Sequence, residues 1–382
     1  MSNLGNSADR LRKWMFNDAW PFWARCGINS QNRFYETLSF DGCPTGSLLS
    51  RVRTQARQVY SFALAHELGW NTECSAQIVS QTLPVLLRTA LRPDGVAGRV
   101  INIETGDLVD PTADLYDSAF VLLALAQSRD IVGHSTADSW IKQLLANIDT
   151  VLAHTGDNGY RESVPGTQSR LQNPHMHFFE SLLLLYEKTN SAEVGERAEK
   201  LFSFIDKMFF EYEARCMREK VVCSSGKVSS GYDPGHSMEW VWLMGYRARL
   251  PEGELPEHIF ELYERACSAQ KRYGVIPMYL TDDNEPIDGS ARLWSQVEAL
   301  KGHLCMAELG HADLSLQAIH GATSCASQII EKWLDTACRG GWLDHFDADG
   351  QLISDSMPAS TGYHVYLALS ELDRVAKKLA DD

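Results

Sequence analysis

Apolar residues recur with helical spacing in six stretches placed about sixty residues apart, and each run is preceded by polar residues. The stretches are RVRTQARQVYSFALAHEL (51–68), ADLYDSAFVLLALAQS (113–128), NPHMHFFESLLLLYEKT (173–189), PGHSMEWVWLMGY (234–246), RLWSQVEALKGHLCMAEL (292–309) and STGYHVYLALSELDR (360–374). Such a period marks one supersecondary unit stacked on copies of itself. Two helices fit in each unit, so six units predict an all-α chain with six inner helices ringed by six outer ones, an (α/α)6 barrel. The whole chain, 1–382, then reads as a single catalytic domain. The polar starts would converge at one mouth: Gln55 and Arg57, Tyr116 and Asp117, His175 and His177, His236 and Glu239, Gln296 and Glu298, and His364.

The segments between these runs fit the same plan. Residues 190–210 and 256–274 have amphipathic spacing suited to outer helices. Residues 8–27 predict an opening helix that Pro21 breaks or kinks, and 32–46 a short strand and turn. Short β-prone runs around Asp-Gly or Thr-Gly-Asp turns at 92–111, 274–290 and 340–355 predict β-hairpins leading into inner helices, at the active-site end. The tail at 372–382 reads as a charged helix end.

Composition narrows the function. A net charge of −15 argues against nucleic acid and anionic membrane surfaces, which need clustered Lys and Arg. The nine cysteines are irregularly spaced, with no CxxC pair, no signal peptide and no long apolar run, which predicts free thiols and a cytoplasmic setting. Ten Trp and thirteen Tyr mostly belong in a core, but a few aromatic faces in the pocket would suit stacking on a sugar ring.

The chemistry-bearing residues cluster at the helix starts. Asn173-Pro174 suits a helix N-terminus. On one helix His175 and His177 point about 200° apart, so they do not chelate one metal. His177 and Glu180, three apart, share a face, and the spacing recurs as His236 and Glu239. A carboxylate beside an imidazole fixes its tautomer and raises its basicity. Trp294 and Glu298 also share a face, and Arg57 is placed to stabilise a developing enediolate, or else to form a salt bridge with a neighbouring helix. There is no phosphate loop, GxSxG elbow or HExxH set. A glycosidase using Asp117, Glu180, Glu239 or Glu298 stays open, as does a non-catalytic sugar-binding protein. A metal-using isomerase would need a tight carboxylate cluster, which these spacings do not readily build. Proton abstraction beside a carbonyl by neutral histidine is better supplied.

The strings NPHMHFFESLLLLYEKT, PGHSMEWVWLM, RLWSQVEALKG, GGWLDHFDADG and PASTGYH resemble the signature stretches of the N-acylglucosamine 2-epimerase superfamily, whose members are sugar epimerases and aldose–ketose isomerases on an (α/α)6 barrel. With RVRTQARQVYSF and WPFWARCGINSQNRFYE, the resemblance covers about residues 14–374, and it is strongest to the D-mannose isomerase branch. N-acylglucosamine and cellobiose 2-epimerases are the alternative. Asn32-Arg33 stands where Gly-Gly is frequent, a departure in the opening loop.

The resemblance implies that His236 and His364 are the acid/base pair and that His177 is a third histidine at the substrate. Arg57, Tyr116, Asn173, Trp294 and Glu298 match substrate-contact positions, and Glu239 a carboxylate close to the pocket. Ser360 falls where relatives differ and so bears on specificity. The implied reaction interconverts mannose and fructose through a cis-enediolate, with His364 as the C2 base and His236 opening the ring, or the two exchanged. No cofactor or metal is expected, and activity should survive a strong chelator. The expected partner is a small monosaccharide, and the chain a monomer or homodimer.

Overall fold

The computed structural model describes residues 3–166, 169–222 and 226–381. Its six inner helices are Val52–Glu67, Leu115–Gln127, Gln172–Thr189, Pro234–Arg249, Leu293–Leu309 and Thr361–Asp381. Each packs on the next and the sixth returns to the first, closing an (α/α)6 ring. These helices have apolar residues on nearly every side because the ring buries them inside and out; Phe120, Leu182, Leu243 and Leu304 are all fully buried. The outer helices, by contrast, keep one wet face. They are Thr72–Ala90, His134–Leu152, Ala192–Phe209, Ile259–Tyr273 and Ala312–Gln328, as the amphipathic runs predicted for the third and fourth.

The sixth outer helix comes from the other end of the chain. Asn3–Trp14 lies against the sixth inner helix, so the two termini complete one repeat between them. The aromatic residues of the following segment seal this join: Trp20 stacks on Tyr366 at 5.3 Å and Trp23 on Trp342 at 4.6 Å. Pro21 does not break the helix where it stands. A π turn at Met15–Ala19 precedes it, and Trp20–Cys26 then continues the helix with Pro21 just past that wider turn.

Short strands gather at the N-terminal end of the inner helices. Leu49–Arg51, Ala113–Asp114, Ser169–Leu171 and Ala291–Arg292 each run directly into one. The expected hairpins form at Val100–Asn102 with Leu108–Asp110 and at Tyr279–Leu280 with Pro286–Asp288. The third differs: His345–Phe346 pairs mainly with Ala291–Arg292, tying the last loop to the fifth inner helix. Thr37–Ser39 pairs with Ser356–Pro358, again joining the chain ends. Asn32 adopts φ 56°, the left-handed conformation that glycine provides elsewhere and that asparagine tolerates. Arg33 then anchors the loop on the carbonyls of Ile103 and Glu104, both at 3.1 Å.

The fourth and fifth inner helices approach through glycine. A Cβ on Gly245 would stand 2.1 Å from Cys305 Sγ, and one on Gly302 2.7 Å from Met238 Sδ. Gly245→Ala is therefore expected to destabilise the fold by about 1–3 kcal/mol, read from chemical unfolding; an unchanged midpoint would show that the pair relaxes freely. No helix among the described residues is long and apolar enough to cross a membrane, and the eight described cysteines are unpaired.

Candidate active site

The polar helix starts meet in a cavity of about 330 Å³ at the strand-bearing end of the barrel. Arg57, Tyr116, Asn173, His177, His236, Glu239, Trp294 and His364 all line it, with Ser360. Glu298 lies just beneath, fully buried. The other aligned positions turn away and hold the scaffold. Gln55 exchanges hydrogen bonds with the backbone of Phe34, and Gln296 does the same with Ile276. Asp117 accepts from the backbone N–H and the guanidinium of Arg53. His175 sits on the far side of its helix, bonded to the backbone of Leu171 and Tyr160, as the 200° separation from His177 requires.

A larger cavity of about 450 Å³ opens at the opposite end, yet its charges are already matched: Lys188 with Glu67, Arg249 and Arg374 with Glu371. The strand-bearing end keeps groups unsatisfied. Both carboxylate oxygens of Glu239 are buried without a hydrogen-bond partner among the described residues. Arg57 donates to Tyr116 Oη at 2.9 Å and to the Ser360 carbonyl at 3.4 Å, over the ring of Phe120, with no carboxylate partner among the described residues. The salt-bridge alternative for Arg57 is thereby set aside. Such groups are costly to bury unless a ligand with hydroxyls completes them.

The three pocket histidines are each paired with a carboxylate, though not always the expected one. His177 Nδ1 lies 2.8 Å from Glu180 Oε2, as its spacing predicted. His236 does not pair with Glu239. Its Nδ1 instead lies 2.9 Å from Glu219 and 3.6 Å from Asp233. Glu239 faces inward, and its nearest imidazole is His177 at 3.9 Å. Glu219 reaches the ring from the strand segment ahead of the helix, and no periodic signal marks it. His364 Nδ1 lies 2.7 Å from Glu298 Oε1, a partner 66 positions away. Trp294 lies between the two outer members, 5.1 Å from the His236 ring and 5.8 Å from His364.

These partners divide the histidines. Burial alone would lower the pKa of His236, but Glu219, Asp233 and Glu239 reverse this and raise it well above the ordinary value, favouring the cationic ring. The Asn173 amide nitrogen, Nδ2, lies 3.1 Å from His236 Nε2, so a ring protonated there requires the carboxamide turned to present its oxygen. Burial lowers His364 far below the ordinary value, reinforced by Arg57 and Lys301. Burial likewise lowers His177 to about 4, against the opposing pull of Glu180. One imidazole whose surroundings favour the cation and two whose surroundings favour the neutral ring thus face the same space, a division that suits an acid and a base.

The spacings hid a carboxylate cluster that the fold builds. Ligand-capable atoms of His177, Glu180 and Glu239, and of Glu239, Glu298 and His364, come within 4.8 Å of one another. Four different helices supply them, which is why no local spacing shows it. Glu180 is engaged by His177 and Tyr363, and Glu298 by His364 and by Lys301 at 2.8 Å, the one cation among these partners. Arg51, Arg53, Arg292, Asp233 and Thr361 also line the cavity without having been singled out.

Known proteins agree with this architecture. The family model described as N-acylglucosamine 2-epimerase (GlcNAc 2-epimerase) matches residues 34–368. A mannose-6-phosphate isomerase from Rhizobium meliloti (strain 1021) is 30% identical, covering 97% of this chain and 98% of the relative. A solved D-mannose isomerase superposes with a TM-score of 0.85 at 19% identity, covering 95% of this chain and 96% of that one. Cellobiose 2-epimerase from Spirochaeta thermophila DSM 6192 gives 0.88 at 18%, covering 99% and 98%. Closed from six helical repeats around a histidine-lined mouth, the chain belongs to the N-acylglucosamine 2-epimerase family of sugar isomerases and epimerases.

Proposed function

We propose that the chain is an aldose–ketose isomerase that interconverts D-mannose and D-fructose. The observation that carries this reading is a pair of imidazoles at one cavity, His364 held by Glu298 and His236 by Glu219, in surroundings that favour the neutral ring at the first and the cation at the second. A non-catalytic sugar-binding protein has no need of imidazoles held in opposite protonation states.

His236 donates a proton to the ring oxygen and takes one back from the C1 hydroxyl, opening the hexose and leaving the imidazole protonated again. His364 Nε2 then removes the C2 proton, and the C–H electron pair becomes the C1–C2 double bond of a cis-enediolate. Arg57 and cationic His236 steady its oxygens, a preorganised field in a site poor in water. Return of the proton to C1, with transfer from O2 to O1, yields the ketose. Trp294 stacks on the sugar, while Glu239, Asn173 and Tyr116 take hydroxyls, with His177 held neutral beside them. Positive charge near the oxygens comes from side chains, and the scheme uses no metal.

A second reading, turnover of mannose 6-phosphate, is favoured by the activity named for the Rhizobium meliloti relative and by the arginines at the mouth. Three of those are already neutralised: Arg51 by Glu36, Arg53 by Asp117 and Arg292 by Asp344. Only Arg57 offers uncompensated charge, which favours an uncharged hexose. The epimerase alternative differs in where the enediolate is reprotonated.

Proton NMR of the purified protein with D-mannose, and separately with mannose 6-phosphate, in D₂O tests these readings together. Fructose carrying deuterium at C1 is the expected product. Turnover of the phosphate ester alone would move the substrate class, glucose as sole product would make the protein an epimerase, and no reaction with either would remove the isomerase reading.

A further inference from the structure

We propose that Lys301, which touches no part of the substrate cavity, is the positioning residue that keeps Glu298 anionic and thereby holds His364 in the tautomer able to act as a base. The inference deepens the isomerase reading and rests on it for the role of His364.

Lys301 is wholly buried inside the barrel. Its Nζ lies 2.8 Å from Glu298 Oε2 and 3.8 Å from the centre of the Trp242 ring, so the ammonium is clamped between a carboxylate and an aromatic face. The other oxygen of Glu298 is the one that meets His364 Nδ1. One carboxylate thus joins the buried cation to the candidate base. The close approach of the two helices at Gly302 and Met238 lets Trp242 reach the ammonium.

The charge is needed because the core is crowded with acids. Glu239 and His236 face Glu298 from the fourth inner helix, Glu180 from the third, and His364 and Tyr363 from the sixth. Carboxylates so close in a medium poor in water cannot all ionise. Burial pushes Glu239 well above the ordinary range, with Glu298 adding to the rise, whereas burial raises Glu298 only to about 7 because Lys301 opposes it. Burial disfavours the charged form of Lys301 too, yet Glu298, Glu239 and Glu180 keep it cationic.

The consequence for His364 is geometric. An anionic Glu298 accepts only, so Nδ1 carries the proton and Nε2 offers a lone pair to the cavity. A protonated Glu298 would donate to Nδ1, and the proton would move to Nε2, where a base must have none. Glu298 and His364 therefore titrate as one unit, and that unit sets the acid limb of the rate.

The test is the full-length protein with ¹⁵N-labelled histidine rings, comparing wild type with Lys301→Met and using His364→Ala to assign the signal. Above about pH 7, where Glu298 is ionised, wild type is expected to show His364 protonated at Nδ1. Lys301→Met is expected to shift that ring towards the Nε2-protonated form and to lower kcat by about 10²-fold with KM nearly unchanged. The acid limb of kcat/KM is expected to move up by about one pH unit or more. If the apolar variant does not fold, Lys301→Gln keeps a donor beside Glu298 without the charge, and the same shifts are expected. A folded variant with the wild-type tautomer, an unmoved limb and kcat within about threefold would assign Lys301 a merely structural role and overturn the proposal. The ring-nitrogen measurement needs no sugar, so it decides the role of Lys301 even if every hexose tried is inert.

Discussion

His364→Ala is expected to retain the fold and lose about 10²–10⁴-fold in kcat, with KM changed little. The ring is neutral, its Nδ1 is committed to Glu298, and no second neutral imidazole takes its place: His177 is committed to Glu180, and its Nε2 approaches Glu239. Loss confined to kcat is the mark of an interaction made in the transition state. Steady-state kinetics on the sugar that the NMR experiment identifies, with circular dichroism to verify folding, checks it. A variant keeping more than about a tenth of wild-type kcat would remove His364 from the reaction.

His236→Ala is expected to cost about as much, for a different reason. In the proposed scheme His236 acts as the cation, so the rate depends on its staying protonated. Burial favours the neutral ring, but Glu219 and Asp233 outweigh it and raise the pKa. Activity is therefore full below that raised pKa and falls as pH rises through it, giving the alkaline limb of the profile. Glu219→Gln removes the nearest carboxylate, at 2.9 Å, and is expected to bring the alkaline limb to lower pH while leaving the acid limb in place. A variant profile identical to wild type would show that Glu219 does not hold the proton. Movement of the acid limb instead would exchange the roles of the two histidines.

Most of the site was legible in the sequence because it follows from repetition. A polar residue at the start of an apolar helical run must face either the barrel mouth or a loop, and the ring sends Arg57, Tyr116, His177, His236 and His364 to the mouth. The pattern could not separate these from Gln55, Asp117, His175 and Gln296, which occupy similar places but bond to the backbone of the connecting loops or, for Asp117, to Arg53. The division depends on which way a side chain turns at the helix start, a matter of roughly 100° per residue. His-x-x-Glu spacing found one true pair, His177 with Glu180, and suggested one that does not form. At His236 the helix begins at Pro234 with Asp233 as its cap, and the cap and Glu219 reach the imidazole while Glu239 lies a turn deeper.

By itself, the sequence determined the six-fold helical repeat, the end at which the polar helix starts gather and the family to which the chain belongs, since hydrophobic period and motif strings are local properties. Only the tertiary structure decided who partners whom: Glu298 with His364, 66 positions apart, Glu219 with His236, 17 apart, and the N-terminal helix as the sixth outer member. It also decided that Lys301, an unremarked residue three places beyond Glu298, stands among three buried acids. Closing the ring brings together side chains from helices far apart in sequence, and the electrostatics of a buried group depend on distance through space, which no spacing along the chain encodes.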